Sequence, residues 1–497
     1  MMLRTCLAPL LVFALVVPAH AETSATPLAA QVETILAAAP AGTRFGLLVT
    51  DPEGREVVAI DPDKRFIPAS NTKLFTTAAA LALLAPREAG AKLGTGDFAK
   101  FAPGAFVGLT MRDGGTPDVV LFGRGDARMS STPDCKVDCL AELADIVARQ
   151  ARTVHDIVGD DTWFPDQRWS PGMSWNNIGT DSGTAISALS LDDNELPVSV
   201  AAAAPGVSPT VTVSPYFTVR NEAQTVASGA TTLAFERSVS DRELRVYGEI
   251  AAGAAPFTEK LGIDDPAHYA AWRLAQLLRE RGVGVEGTIA SRHRPVGLVD
   301  DPDTREGREV RPVLPRAALS GGHTAPPLGE DVTIVNKVSQ NLHAELLLRR
   351  IGRIAGTGSL ADGIAAVEAM LVAAEVPRAG FDFSDGSGMS TYNRVSPRAA
   401  VALLRWGAAQ PWGKAWRASF PVGGTDGTLR RRFAGTALQG KLFAKTGTLN
   451  ATNALSGYLV AASGRELTFS FFANDVPEGG SALAAMDTAL VAIAAAN

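Results

Sequence analysis

The sequence predicts an α+β fold in which an antiparallel sheet is flanked by helices and a large region of smaller, β-rich domains is inserted. Helical patterns dominate the chain between strand-like runs near its two ends, at 45–49 and 57–60 and again at 441–445, 454–460 and 466–472. From about Ala91 to Asp300, short strand-like runs among many glycines and prolines replace the helical pattern. This change in composition indicates an insertion.

The length of 497 residues exceeds one compact core, since domains usually contain roughly 100–200 residues. We place the domain boundaries where the composition changes. A main domain is predicted at 22–90 together with 301–497, an inserted domain at 91–185 together with 254–300, and a nested β-rich domain at 186–253.

Residues 1–21 have the organisation of a cleavable secretory signal peptide. Arg4 follows the initial methionines, an apolar run extends from Leu7 to Val17, and Ala19 and Ala21 form an A-x-A cleavage site. We therefore expect export of the mature chain after cleavage at Ala21. No other segment is long and apolar enough to cross a bilayer, so no transmembrane anchor is expected.

The net charge is −6 and no long basic run occurs, which argues against a nucleic-acid partner. The mature chain keeps Cys135 and Cys139, whose spacing of four allows, but does not require, a small-loop disulfide in an oxidising compartment. Two thiols without a nearby pair of histidines do not indicate a metal site, so no metal is expected.

Periodicity and chain-breaking residues give the elements in chain order. A helix is predicted at 28–38, then a hairpin that turns at Asp51-Pro52-Glu53-Gly54, then a helix that starts at Ser70. The insert contains short strands near 109–111, 119–122 and 210–213 and helices at 140–152 and 268–281. After a polar linker at 300–316, helices are predicted at 330–351, 360–374, 396–408 and 481–496.

The helix that starts at Ser70 carries an S-x-x-K motif, because Lys73 follows three residues later on the same helix face. A helix N-terminus stabilises anionic oxygen, and a lysine with a lowered pKa can take the proton of a serine nucleophile. Burial in the apolar run after Lys73, together with a nearby positive charge, would lower its pKa. Taken alone, this short motif is more typical of an ordinary helix start.

A second motif, Ser339-Gln340-Asn341, lies within a predicted helical segment. The Ser339 hydroxyl is suited to relay a proton from Lys73, and the Asn341 amide to hold a substrate carbonyl and orient that lysine. By itself S-x-N is uninformative, and the same pattern occurs at Ser174-Trp175-Asn176.

A third motif lies on a predicted strand, Lys445-Thr446-Gly447-Thr448. Lys445 supplies a positive charge for a carboxylate and for lowering the pKa of Lys73, and the Thr446 hydroxyl can bind the same carboxylate. Gly447 allows the strand to approach the nucleophile closely. The backbone N–H groups of Ser70 and Thr448 would form an oxyanion hole.

These three motifs, in this order, resemble the D-alanyl-D-alanine carboxypeptidase/endopeptidase family of class C low-molecular-mass penicillin-binding proteins, the peptidase S13 group. The resemblance covers nearly all of the mature chain and extends to the segments 157–161, 168–172, 187–194, 326–328, 385–390 and 424–432. We assign no catalytic step to Asp385–Ser390. The departures from the family pattern are small, Gln340 in place of an acidic residue and Ala325 in place of a serine.

The resemblance implies a serine β-lactamase/DD-peptidase-like catalytic domain with two extra domains between the first and second motifs. It also implies hydrolysis of the terminal D-Ala-D-Ala bond and of D-Ala–diaminopimelate cross-links in peptidoglycan stem peptides, through an acyl-enzyme at Ser70. β-Lactam antibiotics would bind covalently, no metal or cofactor would be needed, and the protein would act in the periplasm.

Two other hypotheses remain. A serine β-lactamase or esterase of the same superfamily shares the three motifs, and rapid turnover of a β-lactam would distinguish it. A non-catalytic cell-wall-binding scaffold would tolerate loss of Ser70. A Ser–His–Asp hydrolase is disfavoured, since no histidine lies in a recognisable triad context.

Overall fold

The computed structural model describes residues 27–90, 102–113, 115–305, 307, 308, 310 and 317–497, so the predicted signal peptide lies outside the described residues. The main sheet is antiparallel and joins strands from both ends of the chain. Its order is Glu56–Ile60, Arg44–Thr50, Glu466–Asn474, Thr452–Val460 and Leu442–Leu449. The strand-like runs predicted near the two ends of the chain therefore pair in one antiparallel sheet.

Helices cover both faces of the main sheet because side chains alternate along its strands. Phe471 and Leu455 point to the face covered by helices Pro27–Leu36 and Leu483–Ala496. Phe472 and Ala454 point to the opposite face, which packs against the remaining helices of this domain. Those helices are Thr72–Ala79, which continues as a π-helical turn at Ala80–Leu84 and the helix Ala85–Gly90, and Leu328–Lys337, Asn341–Gly352, Leu360–Ala373, Pro397–Ala408 and Gly413–Ala418.

The inserted region forms a second five-stranded sheet and several small ones. The order of the second sheet is Ile289–Arg292, Ile157–Asp160, Asp118–Gly123, Gly104–Thr110 and Ala318–Thr324, with helices Leu140–Gln150 and Pro266–Glu280 packed nearby. The β-rich part contains Glu195–Ala201, Thr210–Val213, Thr218–Asn221, Gln224–Val226, Ala234–Glu236, Glu243–Tyr247, Glu249–Ala251 and Phe257–Gly262. Two further pairs of strands are only two residues long. Thr153–Val154 pairs with Gly284–Val285, and Phe381–Asp382 pairs with Arg394–Val395.

The domain boundaries remain a prediction. Two strand pairs extend across them: Ala318–Thr324 pairs with Gly104–Thr110, and Phe257–Gly262 pairs with Glu195–Ala201. A disulfide bond joins Cys135 and Cys139. In the part of the chain that the structure describes, no helix has the length and apolar character needed to cross a membrane.

The prediction of one continuous helix at 330–351 was wrong. The chain forms two helices, Leu328–Lys337 and Asn341–Gly352, separated by a break at 338–340. Ser339 has φ = 67°, in the left-handed region that a right-handed helix excludes. Gln340 then starts the next helix, since its side-chain oxygen accepts a hydrogen bond from the Leu342 N–H at 2.7 Å.

Candidate active site

The first motif lies on a sharp turn that leads into a helix. Ala69 has φ = 46°, a value that few non-glycine residues adopt, and Ala69–Asn71 form a single 3-10 turn before helix Thr72–Ala79. Ser70 is half-buried at this turn, as expected for a residue at a helix start. The Asn71 side chain donates a 2.9 Å hydrogen bond to the Lys445 carbonyl, which fixes the turn against the strand that carries the third motif.

The Lys73 amine is fully buried and contacts three oxygen atoms. Its Nζ lies 2.9 Å from Ser70 Oγ, 2.6 Å from Asn341 Oδ1 and 2.5 Å from the Ser387 carbonyl oxygen. Burial lowers the pKa of Lys73 to about 7, while the negative charges of Asp385 and Glu345 act in the opposite direction.

These contacts can be made by a charged amine, which has three N–H groups, and also by a neutral one. The Asn341 amide oxygen and the Ser387 carbonyl can only accept hydrogen bonds, so they take the two N–H groups of a neutral Lys73. The remaining lone pair then faces the Ser70 hydroxyl. This is the arrangement that a general base needs before it removes a proton from a serine.

The second and third motifs meet at a hydrogen bond between their side chains. The Lys445 amine is fully buried and donates to Ser339 Oγ at 2.8 Å and to the Thr446 carbonyl at 3.0 Å. Burial and the nearby charge of Lys73 lower the pKa of Lys445 well below its usual range. The sequence predicted that the charge of Lys445 lowers the pKa of Lys73. In the structure the charge of Lys73 lowers the pKa of Lys445, and burial lowers the pKa of Lys73.

Strand Leu442–Leu449 is an edge strand of the main sheet and runs beside the turn that carries Ser70. A Cβ atom at Gly447 would lie 2.7 Å from the Pro68 carbonyl oxygen and 3.1 Å from the Ser70 nitrogen, so only glycine permits this approach. Thr448 is the exposed residue of this segment. The Thr446 hydroxyl lies 2.7 Å from the Thr428 hydroxyl, which adds a second hydroxyl that the sequence analysis did not assign.

The segment Asp385–Ser390, to which no role was assigned, supports Lys73. Its Ser387 carbonyl binds the amine, and Gly388 fits so closely that a Cβ atom there would lie 1.9 Å from the Ala69 carbonyl oxygen. The Asp385 carboxylate accepts hydrogen bonds from the N–H groups of Gly388 and Ser390 at 2.8 and 2.6 Å. The repeated glycines were a signal for such a close approach, but no local pattern indicated which segment they would contact.

A second carboxylate, Glu345, holds the start of the same segment. Its Oε1 accepts hydrogen bonds from the N–H groups of Gly386 and Ser387 at 3.0 and 2.9 Å, and Arg349 donates to its Oε2 at 3.2 Å. Burial and the charge of Glu345 raise the pKa of Asp385 to about 6. Sequence analysis missed Glu345, although a Glu and an Arg four residues apart on an otherwise apolar helix face indicate a buried ion pair.

The inserted region also contacts the site. The Asn341 amide nitrogen donates a 2.9 Å hydrogen bond to the Ser182 carbonyl, so a residue of the second motif is held by the insert. The second S-x-N pattern is different, since Ser174 donates to Asn176 within an exposed turn. His343 is buried, with its Nε2 2.9 Å from Asp193 Oδ1.

Comparison with known proteins gives consistent results. The D-Ala-D-Ala carboxypeptidase 3 (S13) family matches residues 28–497. A D-alanyl-D-alanine carboxypeptidase of Actinomadura sp. (strain R39) is 35% identical over 471 residues, which cover 91% of this chain and 81% of that protein. D-alanyl-D-alanine carboxypeptidase DacB of Haemophilus influenzae is 23% identical and covers 88% of this chain and 87% of its own length.

Solved structures agree on the fold. Penicillin-binding protein 4 (dacB) of Haemophilus influenzae superposes with a TM-score of 0.74 at 20% identity, covering 93% of this chain and 97% of that one. The same protein complexed with a β-lactam gives a TM-score of 0.69. The predicted fold class and family resemblance are thereby confirmed: the chain belongs to the D-Ala-D-Ala carboxypeptidase 3 (S13) family and is a serine-type D-alanyl-D-alanine carboxypeptidase.

Proposed function

We propose that this carboxypeptidase acts through an acyl-enzyme formed at Ser70. The observation that carries the proposal is the contact between Ser70 Oγ and the Lys73 amine at 2.9 Å, with burial lowering the pKa of that amine to about 7. Lys73 removes the hydroxyl proton while Ser70 Oγ attacks the carbonyl carbon of the penultimate D-alanine. The amide bond breaks, D-alanine leaves, and water then hydrolyses the ester.

The proton of the leaving amine comes from Lys73 through the Ser339 hydroxyl. Ser339 suits this role because its hydroxyl already binds the Lys445 amine at 2.8 Å, and Asn341, two residues on, binds Lys73. The N–H groups of Ser70 and Thr448 stabilise the oxyanion as negative charge develops on the carbonyl oxygen. Gly447 keeps these two backbone segments in contact.

The substrate carboxylate binds at Lys445 and Thr446. In the free protein the Lys445 amine is buried without a carboxylate partner among its hydrogen bonds, which run to Ser339 and to the Thr446 carbonyl. An incoming carboxylate favours the charged form of this amine. The hydroxyl pair formed by Thr446 and Thr428 provides further donors.

The substrates proposed on this basis are peptidoglycan stem peptides that end in D-Ala-D-Ala, together with the D-Ala–diaminopimelate bonds of cross-linked peptides. β-Lactams acylate Ser70 because their strained amide mimics the scissile bond. A signal peptide at 1–21 would deliver the protein to the periplasm, where these substrates occur.

Intact mass spectrometry after incubation with benzylpenicillin tests the acyl-enzyme directly. The wild type should gain one drug mass that persists for minutes to hours, and Ser70→Ala should gain none. Destruction of the drug without an adduct would indicate a β-lactamase instead. No adduct and no drug loss would refute the mechanism and leave the scaffold hypothesis.

The two peptidase activities are tested separately with defined substrates. Release of D-alanine from a pentapeptide measures carboxypeptidase action, and cleavage of a cross-linked muropeptide dimer measures endopeptidase action. Both should disappear in Ser70→Ala, whose fold is checked by circular dichroism. Loss of the first activity alone would show that a second site cleaves cross-links.

A further inference from the structure

Three ionisable side chains converge in the interior of the inserted sheet, outside the active site. Asp126 follows strand Asp118–Gly123, Asp138 lies in the loop closed by the Cys135–Cys139 disulfide, and His323 lies on strand Ala318–Thr324. One oxygen of each carboxylate and one ring nitrogen lie within 4.8 Å of one another. Three separate segments of the chain thus contribute one metal-ligand atom each.

These groups are buried, and Asp126 Oδ1 accepts a hydrogen bond from the Arg128 N–H at 2.8 Å. The side chains of Asp138 and Asp126 are 1% and 3% exposed, and that of His323 is 12% exposed. Within the described residues, both oxygens of Asp138, Oδ2 of Asp126 and both ring nitrogens of His323 lack a hydrogen bond. His323 Nδ1 lies 2.6 Å from Asp138 Oδ1 and 3.9 Å from Asp126 Oδ2, distances at which a protonated imidazole would form ion pairs with the two carboxylates.

A second cluster of two aspartates and a histidine in the same region does have hydrogen-bond partners. Asp118, His155 and Asp156 also lie close together, but the Arg112 guanidinium sits among them, with one nitrogen 3.2, 2.6 and 2.9 Å from the three side chains. A protein cation therefore already occupies that cluster. Buried polar groups are normally paired, so the unpaired atoms of Asp126, Asp138 and His323 require an explanation.

The neighbouring arginine side chains direct their hydrogen bonds to other carboxylates. Arg128 donates its side-chain hydrogen bond to Glu330, and Arg350 pairs with Glu88 and Asp331. The two aspartates face each other in a poorly solvated space, where a cation would reduce their repulsion.

We propose that Asp126, Asp138 and His323 bind one divalent transition-metal ion, with zinc as the representative ion. Two carboxylates and an imidazole form a mixed oxygen and nitrogen donor set, which suits zinc better than calcium or magnesium. Ligand atoms that share a tetrahedral zinc ion lie about 3.4 Å apart for metal–ligand distances near 2.1 Å, and the observed contacts of 2.6 and 3.9 Å lie on either side of that value. The partly exposed edge of His323 provides an entry path, and water completes the coordination.

This site is structural, since it joins segments that position the catalytic residues. Strand Ala318–Thr324, which carries His323, leads directly into helix Leu328–Lys337. That helix ends at Lys337, two residues before Ser339. A bound ion would therefore fasten the inserted sheet and the disulfide loop to the start of the second motif.

The test uses the full mature protein with its disulfide intact, stripped of metal and titrated with zinc at pH 7.5. We expect one zinc ion per chain by elemental analysis and calorimetry, with a rise in melting temperature. Asp138→Asn and His323→Gln should each weaken zinc binding by at least about 10-fold and abolish the rise. The control Asp156→Asn, in the cluster that Arg112 already occupies, should bind zinc like the wild type.

Asp138→Asn also protects the test against a folding defect, because it removes a buried charge at constant side-chain size. Its metal-free melting temperature, measured beside that of the metal-free wild type, separates a loss of zinc binding from a loss of stability. Cobalt substitution gives a second readout, since the visible spectrum of tetrahedral cobalt should change in His323→Gln. Sub-stoichiometric zinc, or equal binding by wild type, Asp138→Asn and His323→Gln, would overturn the proposal.

Discussion

The pH dependence of acylation gives a direct test of Lys73 as the base. Burial lowers the pKa of this amine from 10.5 to about 7, so it is about half neutral at pH 7. The neutral fraction is about 90% at pH 8 and about 10% at pH 6. Because only the neutral form can take the Ser70 proton, the acylation rate should fall about 10-fold between these two pH values.

The assay is the second-order rate of acylation by a chromogenic β-lactam, measured from pH 5.5 to 9.5. The drug carboxylate stays ionised over this range, so protonation of Lys73 governs the acidic limb. An unperturbed lysine would be neutral in only about 0.3% of molecules at pH 8, and the rate would still be rising at pH 9.5. A rate that is flat between pH 6 and 8, or that rises only near pH 10, would refute the assignment.

Glu345→Gln provides a matched variant for this profile. The negative charge of Glu345 raises the pKa of Lys73, so its removal should shift the acidic limb to lower pH. Glutamine keeps an oxygen for the N–H groups of Gly386 and Ser387. A shift to higher pH, or none, would show that another group controls the limb.

Three further substitutions test separate parts of the site and its surroundings. Gly388→Ala places a Cβ atom 1.9 Å from the Ala69 carbonyl oxygen and should displace the nucleophile turn. We expect at least a ~100-fold loss in acylation rate with the far-ultraviolet spectrum unchanged. Thr428→Val removes a hydroxyl that contacts Thr446, and should lower kcat/KM for D-Ala-D-Ala peptides by roughly 3- to 10-fold, while Thr425→Val should not. Cys135→Ser opens a small loop and should lower the free energy of unfolding in urea by about 2 kcal/mol without changing acylation.

The sequence was sufficient to predict the main sheet and the three motifs. Strand-like runs with breakers between them occur at both ends of the chain, and an antiparallel sheet is the arrangement that buries both sets. Ser70, Lys73, Ser339, Asn341 and Lys445 stand in short local patterns whose chemistry can be read without a structure. The structure joins Ser70, Lys73 and Asn341 in one group of side-chain hydrogen bonds and Ser339 and Lys445 in another.

The pairing of strands in the inserted region could not be predicted from local sequence patterns. Strand Ala318–Thr324 is mostly polar and glycine-rich, and it pairs with Gly104–Thr110 across the rest of the insert. Its place in the sheet depends on contacts between residues far apart in sequence, which periodicity does not report. The same holds for Glu345 and Asp385, whose role depends on burial beside Lys73.

The break at Ser339 shows why the helix predicted from the apolar pattern was too long. Val338 and the apolar positions beyond it continue the period of the preceding helix, so local preference favours one helix over 330–351. The chain instead holds Ser339 at φ = 67°, a conformation that costs roughly 1–2 kcal/mol for a residue with a Cβ atom. That cost is offset where the break brings Ser339 Oγ to the Lys445 amine and Asn341 Oδ1 to Lys73.

A continuous helix could not meet both amines in this way. Residues two apart on a helix point in directions about 200° apart, given 3.6 residues per turn. Ser339 and Asn341, however, contact two different buried lysines, and the charge of Lys73 lowers the pKa of Lys445. Leaving the helix at Ser339 and re-entering it at Asn341 allows both side chains to reach the same site. The strained residue and the failed helix prediction therefore have one cause, the need to bring a hydroxyl and an amide to neighbouring buried amines.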